Sequence, residues 1–121
     1  NKKIILIDRF TDSTIAYQHF GMSIDLNLIE TLNKFLLKKI KVSFTFLNIV
    51  NQKNLKKRLK QRKSLNRYDK FKMSFYNKVQ NGFIKLSKKQ KNKYQIINSN
   101  LEINKNEKLI LSKIDRLIKW I

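Results

Sequence analysis

The 121 residues contain no cysteine, no proline, two glycines and one histidine. Without cysteine there is no disulfide framework and no thiolate metal site. The lone histidine, His19, has no second kind of metal ligand beside it and reads as a helix-end residue. No apolar run approaches the length that spans a bilayer. The opening Asn1-Lys2-Lys3 lacks the layout of a signal peptide and carries no initiator methionine, which suggests an internal start rather than the natural one. These features together fit a cytoplasmic protein. Acidic residues are scarce, 8 against 28 lysines and arginines, for a net charge of +20. Clustered cations would suit a polyanion. Here lysines far outnumber arginines, are spread over most of the chain, and accompany abundant asparagine and isoleucine. That pattern is compositional, so nucleic acid is not expected as a partner, and a basic nucleic-acid-binding module stands as the second reading.

What is present is enough for one small domain or a piece of a larger one, with 41% hydrophobic residues and no low-complexity tract. The rest of the chain is organised around its first twenty residues. Lys3-Ile4-Ile5-Leu6-Ile7 has the length and β-branching of a buried parallel strand. Asp8 and Arg9 follow at its carboxyl end, and Asp12, Ser13 and Thr14 are helix-starting residues for a helix running to Phe20. In open parallel sheets ligands sit at that end of the strands. The free N–H groups and partial positive charge of a helix start, beside Arg9, make a site for a phosphate.

Asp8-Arg9-Phe10-Thr11-Asp12-Ser13-Thr14-Ile15-Ala16-Tyr17-Gln18 resembles the DR(Y/F/H)-x-x-S-x-x-A-Y-Q signature of thymidylate kinases, in the P-loop nucleoside monophosphate kinase superfamily. The turn after it departs from the family, with His19 where glycine is common and Met22 where arginine is common. The resemblance implies that Arg9 clamps the phosphate of dTMP and that Asp8 helps hold that arginine and the metal-water region. It further implies that Thr14 and Gln18 hydrogen-bond the thymine side, and that Tyr17 packs near the deoxyribose. A plain Asp8–Arg9 salt bridge and a half-buried core tyrosine are the structural alternatives.

Leu28, Ile29, Leu32, Phe35 and Leu36 recur at helical spacing and read as a core-facing stripe. Val42–Val50 reads as a second buried strand, similar to a family strand but with Asn48 for its aspartate. Asn51 starts a basic helix that Leu55 and Leu59 anchor, and its Lys56, Lys57 and Lys60 are a solvated face. Arg62-Lys63-Ser64-Leu65-Asn66-Arg67-Tyr68-Asp69 resembles the family's lid, Arg-x-x-x-Asp-Arg-x-Glu, with Asn66 for Asp and Asp69 for Glu. Phosphoryl transfer needs positive charge around the transferring group, and lid arginines supply it as they close. The resemblance gives that catalytic role to Arg62 and Arg67, alongside Arg9.

Phe71, Phe75, Val79, Phe83 and Leu86 predict a long amphipathic helix with an aromatic core face. Within it, Val79-Gln80-Asn81-Gly82-Phe83 resembles the family's Val-Arg-x-Gly-Tyr segment. Tyr94–Asn98 reads as a third strand, and the turn Asn98–Leu101 occupies the place where family members contact the adenine of ATP. A last helix runs from Asn104, its cap, to Ile121, with Glu107 near its positive end and Ile110, Ile114, Leu117, Ile118 and Ile121 on one face.

Strands joined by helical crossovers make this an α/β layout with a parallel sheet. The family's glycine-rich G-x-x-x-x-G-K-[ST] phosphate cradle is absent, since Gly21 and Gly82 sit in no such motif. The expectation is therefore residues 1–121 as the C-terminal portion of a thymidylate kinase domain, with a basic lid at about 62–69. ATP and Mg²⁺ would be bound mainly by polypeptide outside the chain. dTMP and ATP are the expected partners, with a homodimer for the full-length protein, and the chain alone is expected to be inactive. The departures at His19, Met22, Asn48 and Asn66 leave a catalytically dead kinase-like subunit as a further alternative.

Overall fold

Two five-residue strands, β1 (Thr45–Ile49) and β2 (Tyr94–Asn98), run parallel in register, Thr45 opposite Tyr94 and Ile49 opposite Asn98. This is a computed structural model that describes residues 3–119 (of Tyr68, the backbone alone). Before β1 come a helical turn α1 (Thr11–Thr14), a π-helical segment (Ile15–Gly21) that continues it, and α2 (Leu26–Leu37). Between the strands lie α3 (Gln52–Gln61), a 3-10 turn (Tyr68–Lys70) and α4 (Met73–Lys89). A second 3-10 turn (Lys91–Lys93) leads into β2, and α5 (Ile103–Ile118) follows. Parallel strands need such a crossover, and the helices supply it.

The helix starts follow side-chain chemistry where the sequence offers it. Asp25 accepts the Leu28 N–H at 2.9 Å and Asn51 accepts the Asn54 N–H at 2.8 Å, each satisfying a donor with no partner inside its helix. The first helix begins one residue earlier than expected, with Phe10 at the cap position and Asp12 inside the first turn. The last helix begins at Ile103, not Asn104. The N–H groups of Lys105 and Asn106 both donate to the Glu102 carbonyl, which makes Glu102 the cap without help from a side chain. Glu107 lies beyond the first turn, which holds no acid, and Ile121 falls outside the described residues.

The core is small: Ile15, Ala16, Ile29, Leu47, Val79 and Ile97 are its buried apolar side chains. Its tightest seam is between the π segment and α4, and both glycines stand in it. A Cβ on Gly21 would meet the Phe75 ring at 2.6 Å, and one on Gly82 would meet the Phe20 ring at 2.6 Å. Each glycine thus admits an aromatic ring of the opposing helix. Asn33 of α2 reaches the same region, donating to the Thr11 carbonyl at 3.4 Å.

Two expectations about burial do not hold. Lys3–Ile7 is not a buried strand: among the described residues it pairs with nothing, and Ile5 and Leu6 are 77% and 83% exposed. An apolar run makes a strand only where a neighbour accepts its backbone bonds, and none of the described strands lies beside it. Nor is the α2 stripe core-facing. Ile29 and Asn33 face the π segment and are buried, whereas Leu28, Leu32, Phe35 and Leu36 lie on the next strip of helix and are 52–66% exposed.

Candidate active site

Asp8 and Arg9 sit where the Lys3–Ile7 run ends and the first helix begins. Arg9 has φ +60°, a left-handed backbone that costs a residue with a Cβ energy and is held only where its surroundings fix it. This turn throws the Arg9 guanidinium over the Tyr17 ring, 5.2 Å from its centroid, a cation–π arrangement. Among the described residues Arg9 forms no ion pair with Asp8, so the plain salt-bridge alternative is not the arrangement found and the tyrosine ring is what holds the guanidinium.

Tyr17 is placed by the π segment. Such stretches are rare and recur at functional sites, because the widened turn re-aims side chains. The Tyr17 ring is half-buried, with Phe75 at 6.0 Å and Phe83 edge-on at 6.3 Å. The aromatic stripe of α4 therefore does more than fill core: part of it walls the tyrosine. Thr14 is exposed and Gln18 half-buried, three residues before and one after Tyr17. Neither makes a side-chain hydrogen bond among the described residues. His19 behaves as the sequence suggested, its Nδ1 donating to the Ile24 carbonyl at 2.8 Å at the end of the segment.

Asp12 is half-buried, and burial pushes its carboxyl above the usual carboxylate range. It lies in the first turn of α1, where the sequence marks it only as a helix-starting residue.

The 62–69 segment, expected as the lid, closes on itself. Arg62 Nη1 lies 2.5 Å from Asp69 Oδ2, and the same oxygen accepts the Asn66 N–H at 3.0 Å. Asn66 Oδ1 accepts the Asp69 N–H at 2.9 Å. Arg67 is exposed in this turn. Burial first and the Asp69 carboxylate second push the Tyr76 phenol upward, while an N–H from Phe71 and the Arg62 charge oppose the shift. Phe75 lies between the Tyr17 ring, at 6.0 Å, and the Tyr76 ring, at 5.8 Å, and so links this turn to the Arg9–Tyr17 pair. Sequence reasoning missed Asp69, Tyr76 and Phe75 as neighbours of the site. The signal that could have found Asp69 was its place at the far end of the lid pattern from Arg62.

Two further residues were also missed. Gln80 stands where the family pattern has arginine, and its amide accepts the Val50 N–H at 2.9 Å and donates to the Val50 carbonyl at 3.0 Å. Arg58 donates to the Ser99 carbonyl at 2.5 Å on the rim of an open cavity of about 550 Å³. Ile97, Leu101, Ile103 and Ile110 give this cavity mainly apolar walls at the carboxyl ends of the strands.

The sequence profile of the thymidylate kinase family matches residues 1–110. Thymidylate kinase of Wolbachia pipientis wMel is 36% identical over 88 residues, covering 73% of this chain and 43% of that protein. The thymidylate kinase of Sulfurihydrogenibium sp. (strain YO3AOP1) is 31% identical over 111 residues, covering 92% of this chain and 53% of that one. The crystal structure of thymidylate kinase from Ehrlichia chaffeensis superposes with a TM-score of 0.61 at 29% identity, covering 96% of this chain and 51% of its own. The chain thus spans about half the length of the relatives it matches. The likeness also gives the architecture, a partial α/β domain of the P-loop NTPase type. On the profile match and these relatives together, the chain belongs to the thymidylate kinase family.

Proposed function

We propose that the protein carrying this chain transfers the γ-phosphoryl group of ATP to dTMP, giving dTDP for dTTP synthesis. The observation that carries this reading is the Arg9–Tyr17 pair, a guanidinium fixed over an aromatic ring inside the family's signature. A guanidinium fork suits bidentate contact with a phosphate. Arg9 holds the dTMP phosphate, with Asp8 beside it at the end of the same run. The Tyr17 face and edge border the deoxyribose, where bulk disfavours a 2′-hydroxyl. Thr14 and Gln18, with side-chain donors and acceptors to spare, take the thymine edge.

Arg62 and Arg67 bring positive charge to the transferring group, which is the main assistance such a reaction needs. The apolar cavity beside Asn98–Leu101, with Arg58 on its rim, has the character of a site for the base of ATP. Among the described residues no group of three His, Cys, Asp or Glu side chains could hold a metal by itself. Mg²⁺ keeps several waters and takes one or two carboxylates plus substrate phosphates, so an ion carried on ATP would need no protein ligand beyond the Asp8 carboxylate. When bound, it would neutralise charge developing on the phosphates.

The unit is residues 1–121 as the C-terminal portion of the kinase domain, with its lid at about 62–69. The glycine-rich cradle is left to polypeptide outside the chain, which by itself transfers no phosphate. The full-length protein pairs as a homodimer, and Leu32 and Phe35 on α2, 59% and 66% exposed, are apolar surface for the second copy or the rest of the domain to cover. The decisive experiment is a dTDP-formation assay on the full-length polypeptide with Arg9→Ala as control. Loss of one arginine–phosphate contact is expected to lower kcat/KM for dTMP by on the order of 10² or more, taking roughly 3 kcal/mol for a charged hydrogen bond. Equal activity in the control would remove the assignment of Arg9.

A further inference from the structure

The lid arginine does not hang free. Arg62 follows directly on α3, and its N–H donates to the Leu59 carbonyl at 3.3 Å, so the helix sets where its backbone leaves. Asp69 lies seven residues on, in the 3-10 turn that leads to α4, and its side chain is only 10% exposed against 51% for Arg62. The carboxylate is therefore the anchored partner and the guanidinium the reaching one. Asp69 Oδ2 accepts from both Arg62 and the Asn66 backbone, while Asn66 returns a bond to the Asp69 N–H. An isolated surface ion pair contributes little, because ordering two long side chains cancels the attraction. Here the acid is short, mostly buried and tied to the backbone, so most of that cost falls on folding the turn and not on the pair.

We propose that Asp69 is a positioning residue that fixes Arg62 beside the Arg9–Tyr17 site, one oxygen clasping the guanidinium and the lid backbone together. The proposal rests on the kinase reading for its consequence, though the clasp itself does not. The placement stands on ring contacts: two residues after Asp69, Phe71 lies 4.5 Å from Phe75, and Phe75 in turn lies 6.0 Å from Tyr17 and 5.8 Å from Tyr76. A nucleotide phosphate then meets a guanidinium already oriented by a carboxylate, without first having to order a loop. Aspartate in place of the family's glutamate shortens the clasp by one methylene while keeping its charge.

The test uses the full-length polypeptide, with two readouts on Asp69→Asn, Asp69→Glu and the Asp69→Asn/Arg62→Ala pair. The first is dTDP formation. Asp69→Asn is expected to lower kcat by on the order of 10², the effect of displacing a catalytic group by about an ångström. KM for dTMP should change little, and Asp69→Glu should recover most of the rate. The double variant should be no slower than Arg62→Ala alone, the signature of two residues acting as one. The second readout is trypsin cleavage after Arg62 or Lys63, expected to be faster in Asp69→Asn. Arg62→Gln breaks the same pair from its exposed side and gives a second variant, cut after Lys63, should Asp69→Asn not fold. In an active enzyme, an unchanged kcat in Asp69→Asn, or full additivity in the double variant, overturns the proposal. If the unsubstituted protein forms no dTDP, the kinase reading fails and proteolysis alone decides. Cleavage no faster in Asp69→Asn and Arg62→Gln than in the parent then overturns the clasp.

Discussion

The seam between the π segment and α4 and the outer strip of α2 are built from the same kinds of residue and meet opposite fates. In the seam, Ala16 and Val79 are buried, and the two glycines let Phe20 and Phe75 lie against the opposing backbone. On α2, Leu28, Leu32, Phe35 and Leu36 have equally regular spacing, yet nothing covers them among the described residues. The ring of Phe35 has only the Lys38 ammonium over it, at 5.0 Å. The seam positions Tyr17, Phe75 and Phe83, so the covered region is the one that shapes the site. Periodicity reports that a face avoids water; it does not say which surface will cover it.

The contrast can be broken most severely from the covered side. Ile97→Ala removes the most deeply buried large side chain and should cost about 2–5 kcal/mol in urea unfolding. Gly82→Ala comes next. The added methyl would lie 2.6 Å from the Phe20 ring and 2.8 Å from its Cβ, which cannot swing aside, so about 1–3 kcal/mol is expected. A midpoint unchanged by Gly82→Ala would mean the seam is looser than described.

On the bare side Leu32→Lys should leave the folded monomer within about 0.5 kcal/mol of the parent. If a second copy covers α2, the same change should move the full-length protein from dimer to monomer in sedimentation. An unaltered sedimentation coefficient would take that partner off this strip.

The smallest effect is electrostatic. Burial raises the Asp12 pKa in the folded state, so the unfolded chain releases its proton at lower pH. That contribution to stability is fully present below the unfolded pKa of about 3.9 and is lost as pH rises through the raised folded value. Asp12→Asn should therefore flatten this part of the stability–pH curve and be neutral or slightly stabilising at pH 7. A loss of stability at pH 7 would point to a favourable partner for the carboxylate.

How far the sequence could be read varies along the chain for physical reasons. α3, α4 and β2 were legible because local signals agreed: an Asn51 cap, an apolar stripe at helical spacing, a short β-branched run. The Lys3–Ile7 run carries an equally good strand signal, but a strand is a relation between two segments and the described residues supply only one. Of the candidate site, the motif was legible, and its Arg9 and Tyr17 do meet. The part played by Asp69 was not, because an acid seven residues from an arginine has no fixed distance until the intervening turn is formed. Neither was the left-handed backbone at Arg9, which depends on packing beyond its neighbours in sequence.

Gln80 carries a consequence for rigidity. By presenting its amide to both polar groups of the Val50 peptide, it fastens the middle of α4 to the end of β1 as a further strand would. Helix and strand are thereby tied into one unit, and the segment between Gln61 and Met73 lies outside that tie. The wall that α4 gives Tyr17 is therefore braced from the sheet as well as from the seam.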